Sequence, residues 1–178
     1  MKQIRFLGLG GQGVVTGAKL FSEAVVNEGK FAQTTPAYGH ERRGAPVSAD
    51  VFASDQPIKP KCFVFEPDIV VLFGAGVLAH GVDVTKNTHA DTLFIVNTAG
   101  DNASLPFAGR KVLSVDALGI ALEVTGNEVP NAPMLGAMAA AGLVDLEAVT
   151  TTILKRFGAH GPANADAARR AYAETRSN

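Results

Sequence analysis

The stretch Ile4-Arg5-Phe6-Leu7-Gly8-Leu9-Gly10-Gly11-Gln12-Gly13 carries a short apolar run, interrupted by Arg5 and Gly8, into a glycine-rich turn. A run of that length ending in glycines predicts a strand over residues 4–9. Beyond the turn, Val14, Ala18, Phe21 and Val25 recur at the spacing of one helix face, with Lys19, Ser22, Glu23 and Asn27 on the others. Gly29 stands where a helix stops, and residues 31–34 predict a second strand. Strand, turn, helix and strand over 4–34 form the opening of a doubly wound sheet.

Gly8, Gly10 and Gly13 match G-x-G-x-x-G between a strand and a helix. Glycines there let the backbone turn tightly and leave amide N–H groups facing outward, while the helix start adds partial positive charge. The mouth of the loop therefore favours an anion such as a phosphate. Lys19 lies nearly two turns into the helix, and because helical side chains lean toward the N-terminus it points back toward such an anion. A dinucleotide site additionally needs an acidic residue about twenty positions on, at the end of the second strand. Phe31-Ala32-Gln33-Thr34-Thr35 ends without one, and Glu28 precedes the strand. Phosphate or adenylate contact is favoured over a nicotinamide or flavin dinucleotide.

Outward from this unit, residues 35–46 read as an irregular loop rich in Gly, Pro and charge. Residues 47–53 mostly alternate, as a half-exposed strand does, and a turn follows at Asp55-Gln56-Pro57. Residues 68–73, 93–96 and 111–115 predict buried strands of a sheet covered on both faces. Asp116 is placed to cap a helix over 117–124. Helices are predicted over 133–143 and 146–157, the second capped by Asp145, and a polar terminal helix over 164–175. The expected fold is α/β: one Rossmann-like doubly wound domain, residues 1–178, mostly parallel, with a β-ribbon or loop insertion and C-terminal helices.

Composition narrows the class. The chain has 178 residues, a formal net charge of -1, 19% charged, 47% hydrophobic and 7% aromatic residues, and 19 glycines. That charge balance argues against nucleic acid or an acidic membrane as partner. The single cysteine, Cys62, excludes an internal disulfide and any four-cysteine zinc or iron–sulfur site built from this chain alone. No uninterrupted apolar segment of secretory or spanning length is present, so a cytoplasmic location is expected.

Two adjacent arginines lie in Tyr38-Gly39-His40-Glu41-Arg42-Arg43-Gly44-Ala45-Pro46-Val47, and an arginine pair on a loop grips a phosphate or carboxylate bidentately. Taken alone, such a pair is more simply a solvated or subunit-bridging loop. Gly8-Leu9-Gly10-Gly11-Gln12-Gly13-Val14-Val15-Thr16-Gly17-Ala18-Lys19 resembles the opening of the gamma subunits of pyruvate and ketoisovalerate ferredoxin oxidoreductases. The arginine segment resembles their second signature at the family's spacing, with Ala45 where many members have glycine. Asn131-Ala132-Pro133-Met134-Leu135-Gly136-Ala137 is similar as well, so the resemblance spans nearly the whole chain.

The resemblance implies a subunit of a complex that oxidatively decarboxylates a 2-oxoacid and releases an acyl-CoA. Thiamine diphosphate, Mg2+ and 4Fe-4S clusters would sit on alpha-, beta- and delta-type partner subunits, with ferredoxin or another acceptor reached through them. This chain would cover the active site and contact CoA through Gly10, Gly11, Gln12, Gly13, Lys19, Arg42 and Arg43, without a catalytic residue of its own, and would be inactive alone. Indolepyruvate and aryl-glyoxylate oxidoreductases are related alternatives. A free-standing dinucleotide-binding Rossmann protein and a CoA-binding or nucleotide-sensing module that regulates partners are readings of another class. His40 reads as a surface or interface residue and Glu41 as its neighbours' salt-bridge partner. His80, His89 and His160 show no metal-ligand spacing. Cys62 reads as a buried thiol, and Met134 with Met138 as helix packing.

Overall fold

The chain was analysed as a computed structural model, which describes residues 1–37, 44–59, 62–100, 105–107 and 109–177. β1 (Lys2–Leu9) buries Ile4 and Phe6 on one face and Leu7 on the other, so both its faces are covered. It lies between β3 (Pro46–Ser54), antiparallel to it, and β4 (Ile69–Leu72), parallel to it. With β2 (Phe31–Ala37), β5 (Leu93–Asn97), β6 (Lys111–Val115) and β7 (Arg176–Ser177), the described residues form a seven-stranded sheet in the order β2-β3-β1-β4-β5-β6-β7. β1, β4, β5 and β6 are parallel to one another, and β2–β3 is an antiparallel ribbon beside them. The expected α/β class, parallel sheet centre, ribbon insertion and C-terminal helices are all present.

The opening unit departs from the sequence reading in one respect. A doubly wound opening sets the strand after the first helix beside the strand before it. Here β2 pairs with β3 at the rim, because β1 already has β3 on one side and β4 on the other. β2 also runs through Pro36 and Ala37, which read as loop. A rim strand tolerates proline, whose missing N–H breaks no ladder in the middle of a sheet.

Helices α1 (Val14–Asn27), α2 (Ala117–Thr125), α3 (Asn131–Ala140), α4 (Leu146–Phe157) and α5 (Gly161–Glu174) all contribute to a single apolar cluster with Ile4, Phe6, Val71 and Ile95 of the strands. Met134 and Met138 are fully buried in it. α3 and α5 begin before their expected starts because Pro133 and Pro162 fall in first turns, where no amide donor is required. Asp116 caps α2 as expected, accepting the Gly119 N–H at 2.9 Å. Asp145 does not cap α4 with its side chain; instead its own N–H donates to the Glu28 carboxylate. That carboxylate also accepts from Lys30 Nζ at 2.6 Å, a bond that raises the lysine's pKa above its ordinary value. Glu28 thus ties the end of α1 to the start of α4.

The opposite face carries a smaller cluster of Leu7, Val70, Leu72, Phe94, Val96 and Val112. It is covered by Phe107, by Val84 and by a 3-10 helix over Ala75–His80 that the sequence reading did not anticipate. Nor did it anticipate β7, whose two residues follow the terminal helix. No described helix is long and apolar enough to cross a membrane.

Candidate functional site

In a parallel sheet the carboxyl ends of the strands share one edge, and their loops gather there. Leu9, Leu72, Asn97 and Val115 end β1, β4, β5 and β6 on that edge. The glycine loop, residues 10–13, leaves it from the middle of the sheet. Gly13 caps α1 at φ 76°, left-handed backbone in which a side chain would be strained. A Cβ at that position would also lie 3.0 Å from Val129 Cγ1 and 3.2 Å from Asn131 Nδ2. The start of α3 therefore presses directly on the loop.

No side chain caps the first turn of α1 and none of its residues is acidic. The first turn of α1 thus supplies no counter-charge of its own to the helix's positive end, which suits a phosphate-bearing ligand. Thr16 and Lys19, three residues apart, are both exposed on α1. Gly10, Gly11 and Gly13 are partly or fully exposed at the turn. Gln12 turns its carboxamide toward the protein. Its Oε1 accepts the Leu9 N–H at 2.7 Å, so the carboxamide folds back over the end of β1.

Arg42 and Arg43, with His40 and Glu41, lie outside the described residues. The described residues that follow them do bear on the site. Gly10 N–H donates to the Ala45 carbonyl at 2.8 Å, and Gly44 N–H donates to the Gly10 carbonyl at 3.1 Å. These bonds carry the β1–β3 ladder past its last strand pair, Leu9 with Pro46. The glycine loop is thereby fastened to the residue that immediately follows Arg43.

Among the described residues, no acid stands where dinucleotide sites hold a ribose. β2 is not the neighbour of β1, and the adjoining parallel strand, β4, ends in Phe73-Gly74-Ala75-Gly76, with no acid. Glu28 lies at the far end of α1, about 20 Å from the glycine loop by helix rise, and is engaged with Lys30 and Asp145. A groove of about 430 Å³ between α1 and α4, lined in part by Ser22, Asn27, Lys155 and Arg156, belongs to that far half of α1.

Two buried asparagines support the site that sequence reasoning did not single out. Asn97, 8% exposed, donates to the Phe73 carbonyl at 2.8 Å and accepts the Leu118 N–H at 3.1 Å, joining β4, β5 and α2. Asn131, 6% exposed, accepts the Ala132 N–H and abuts Gly13. An ion pair was missed as well: Arg5 and Asp50 form a salt bridge at 3.1 Å on the second face. Both also grip Val64: Asp50 accepts its N–H at 2.9 Å and Arg5 donates to its carbonyl. One opposite charge in each of two neighbouring buried strands is the signal that could have found the pair.

That grip corrects the reading of Cys62, which is exposed. Val64 points inward, so Phe63 and Phe65 turn out, 56% and 77% exposed. An apolar run is half outward wherever only alternate side chains face the core. Among the described residues, no group of three or more His, Cys, Asp or Glu is placed to hold a metal ion.

Comparison with known proteins adds to this geometry. The family described as pyruvate ferredoxin/flavodoxin oxidoreductase matches residues 3–174. The chain is 44% identical to a Pyrococcus abyssi protein described as the common subunit gamma of pyruvate/ketoisovalerate oxidoreductases, over 98% of this chain and 97% of that one. The crystal structure of a Thermotoga maritima pyruvate oxidoreductase subunit, PORC, superposes with a TM-score of 0.82 at 31% identity, covering 100% of this chain and 99% of that one. A 2-oxoglutarate:ferredoxin oxidoreductase from Magnetococcus marinus, with 2-oxoglutarate, coenzyme A and succinyl-CoA bound, shares the fold at a TM-score of 0.76 and 20% identity, the match covering 97% of this chain and 31% of that longer one.

Proposed function

This chain belongs to the pyruvate ferredoxin/flavodoxin oxidoreductase family, in its gamma-subunit branch, and on that premise we propose that it supplies the CoA contact surface of a CoA-acylating 2-oxoacid oxidoreductase. Residues 1–178 act as one domain over the active site of a cytoplasmic complex. Alpha-, beta- and delta-type partners hold thiamine diphosphate with Mg2+ and the 4Fe-4S clusters, and they pass electrons to ferredoxin or another acceptor. When bound on the partners, those groups supply decarboxylation and electron transfer. A chain with one cysteine suits that division of labour.

The observation that carries the proposal is the pair of hydrogen bonds joining Gly10 to Gly44 and Ala45. They bring the base of the arginine segment to the mouth of an uncapped helix start. In this reading the amides of Gly11 and Gly13, with Gly10 holding the turn and with Lys19, Arg42 and Arg43, meet the phosphates of CoA. Amides and a helix end favour the anion, and arginine forks fix its orientation. The similarity to a protein that holds CoA supports the ligand class.

The test is to purify the native complex anaerobically through this chain, identify its companions and assay CoA-dependent oxidation over a panel of 2-oxoacids. Arg42→Ala or Arg43→Ala should raise KM for CoA about tenfold or more, as loss of a charge-assisted bond does, with kcat little changed. A chain that brings no thiamine- or cluster-binding partner and binds NAD(P) or flavin by itself would sink the proposal.

A further inference from the structure

Gln12 sits in the middle of the glycine motif, where a ligand contact is expected, yet its head group faces the protein. β1 and β4 run parallel, and the Phe73 N–H donates to the Leu7 carbonyl at 2.8 Å, so the polar groups of Leu7 point toward β4. Those of Leu9, two residues on, point the same way. By then β4 has turned away through Gly74 into the 3-10 helix, leaving the Leu9 N–H without a strand acceptor. Gln12 Oε1 takes that place at 2.7 Å.

The room for this comes from two glycines, Gly8 within β1 and Gly74 just past the end of β4. A Cβ at Gly8 would lie 2.7 Å from Gln12 Oε1, and a Cβ at Gly74 would lie 2.7 Å from Gln12 Nε2. Gly74 has φ 175°, extended backbone that any residue adopts, so its missing side chain answers to Gln12 and not to a backbone need. Gly8 is an ordinary strand residue paired with Val47. Gly74 follows Phe73, whose carbonyl is held by Asn97, so the surface against which Gln12 rests is itself fixed to β5.

We infer that Gln12 is a positioning residue: its carboxamide latches the end of β1 to the Phe73–Gly74 corner and thereby sets the direction of the glycine-loop amides. The inference rests on the CoA reading for its ligand, but not for the latch. Loss of the latch lets the loop turn away from the orientation in which the Gly11 and Gly13 N–H groups, the two not spent on Ala45 and Leu9, meet a phosphate. Affinity falls while the chemistry on the partner subunits is unchanged. The glycine motif thus holds two kinds of residue, glycines that face the ligand and a glutamine that holds them there.

Coupling between Gln12 and Gly74 tests this in the assembled complex, with CoA as the varied substrate. Gln12→Ala should raise KM for CoA about three- to tenfold, the worth of one hydrogen bond, with kcat within about twofold. Gly74→Ala, which leaves the glutamine in the chain but evicts its head group, should do the same. Placed in the Gln12→Ala background, Gly74→Ala should add less than about twofold, since nothing is left to evict. Melting of the full chain gives a second reading without CoA: Gly74→Ala should lower Tm alone and have little effect once Gln12 is replaced.

A raised KM in Gln12→Ala beside a silent Gly74→Ala would make Gln12 a direct contact and overturn the inference. Fully multiplicative effects in the double variant would overturn it as well. If Arg42→Ala and Arg43→Ala raise KM while the Gln12 and Gly74 variants do not, the positioning role fails and the CoA reading stands. If the Gln12–Gly74 coupling appears in both KM and Tm while the arginine variants are silent, the latch stands and the arginine part of the CoA reading falls.

Discussion

The two faces of the sheet are buried by different means. One is roofed by five helices, of which α3 and α5 meet almost backbone to backbone, the other by a 3-10 helix and irregular segments fastened at particular points. On the helical face a Cβ at Gly136 of α3 would lie 2.8 Å from the carbonyl carbon of Ala168 in α5, and closer still to its oxygen. On the other face Phe94 and Phe107 stack with centroids 4.5 Å apart and planes 9° from parallel, and the Arg5–Asp50 pair straps Val64 down. A helical roof gains its stability from close approach and is sensitive to added volume. A loop roof gains it from a few large or polar anchors and is sensitive to their removal.

The largest effect is expected where the loop roof loses an anchor. Phe94→Ala, fully buried, should destabilise the chain by about 3–5 kcal/mol, the usual cost of deleting a core phenylalanine. Denaturant titration measures this, and a loss below about 1 kcal/mol would mean that the second face collapses easily and the contrast is false. Next comes Gly136→Ala at about 3 kcal/mol. In an open helix this substitution stabilises by up to about 1 kcal/mol, so the sign of the result reports directly on whether α3 and α5 touch.

Asp50→Ala should cost about 2 kcal/mol, less than a fully buried pair would, because the Arg5 side chain is 19% exposed. Pairing Asp50→Leu with Arg5→Met should recover much of that loss, which would separate the cost of a stranded charge from the value of the strap. The smallest effect is expected at Phe65→Ser. With 77% of Phe65 exposed, the full chain should change by no more than about 0.5 kcal/mol; a larger loss would show that the outward phenylalanine packs after all.

Much of this contrast was legible from residue order. Alternation and short apolar runs placed six of the seven described strands, and the helix periodicity of Val14, Ala18, Phe21 and Val25 placed α1. β7 escaped because two polar residues, Arg176 and Ser177, carry no pattern of their own and are strand only by pairing with β6. The rim position of β2 escaped because pairing partners are long-range, and a strand–helix–strand pattern does not say which neighbour the second strand takes. Cys62 and its flanking phenylalanines misled because burial was inferred from composition, whereas the inward residue was selected by Arg5 and Asp50.

The glycine loop was readable as a turn because Gly8, Gly10 and Gly13 stand between a strand and a helix. The inward role of Gln12 was not readable. It depends on Gly74, far along the chain, and on the angle at which β4 leaves the sheet. Asn97 and Asn131 are single amides in apolar surroundings, and spacing alone does not tell a buried tie from a surface residue.

Among the described residues β7 contributes only the pairs of Leu113 with Ser177 and Ser114 with Arg176, yet they occupy the rim that β6 would otherwise offer to a second copy of the chain. An open row of strand amides and carbonyls templates sheet-to-sheet growth, and a very short strand bearing charge blunts it. Arg176 places positive charge on this rim, the exposed Lys111 of β6 is paired with Asp91 at 2.9 Å, and Pro36 interrupts the opposite rim. Without residues 176–177 the backbone of Leu113 and Ser114 would be open to another strand, so their removal is expected to raise self-association, as read by light scattering.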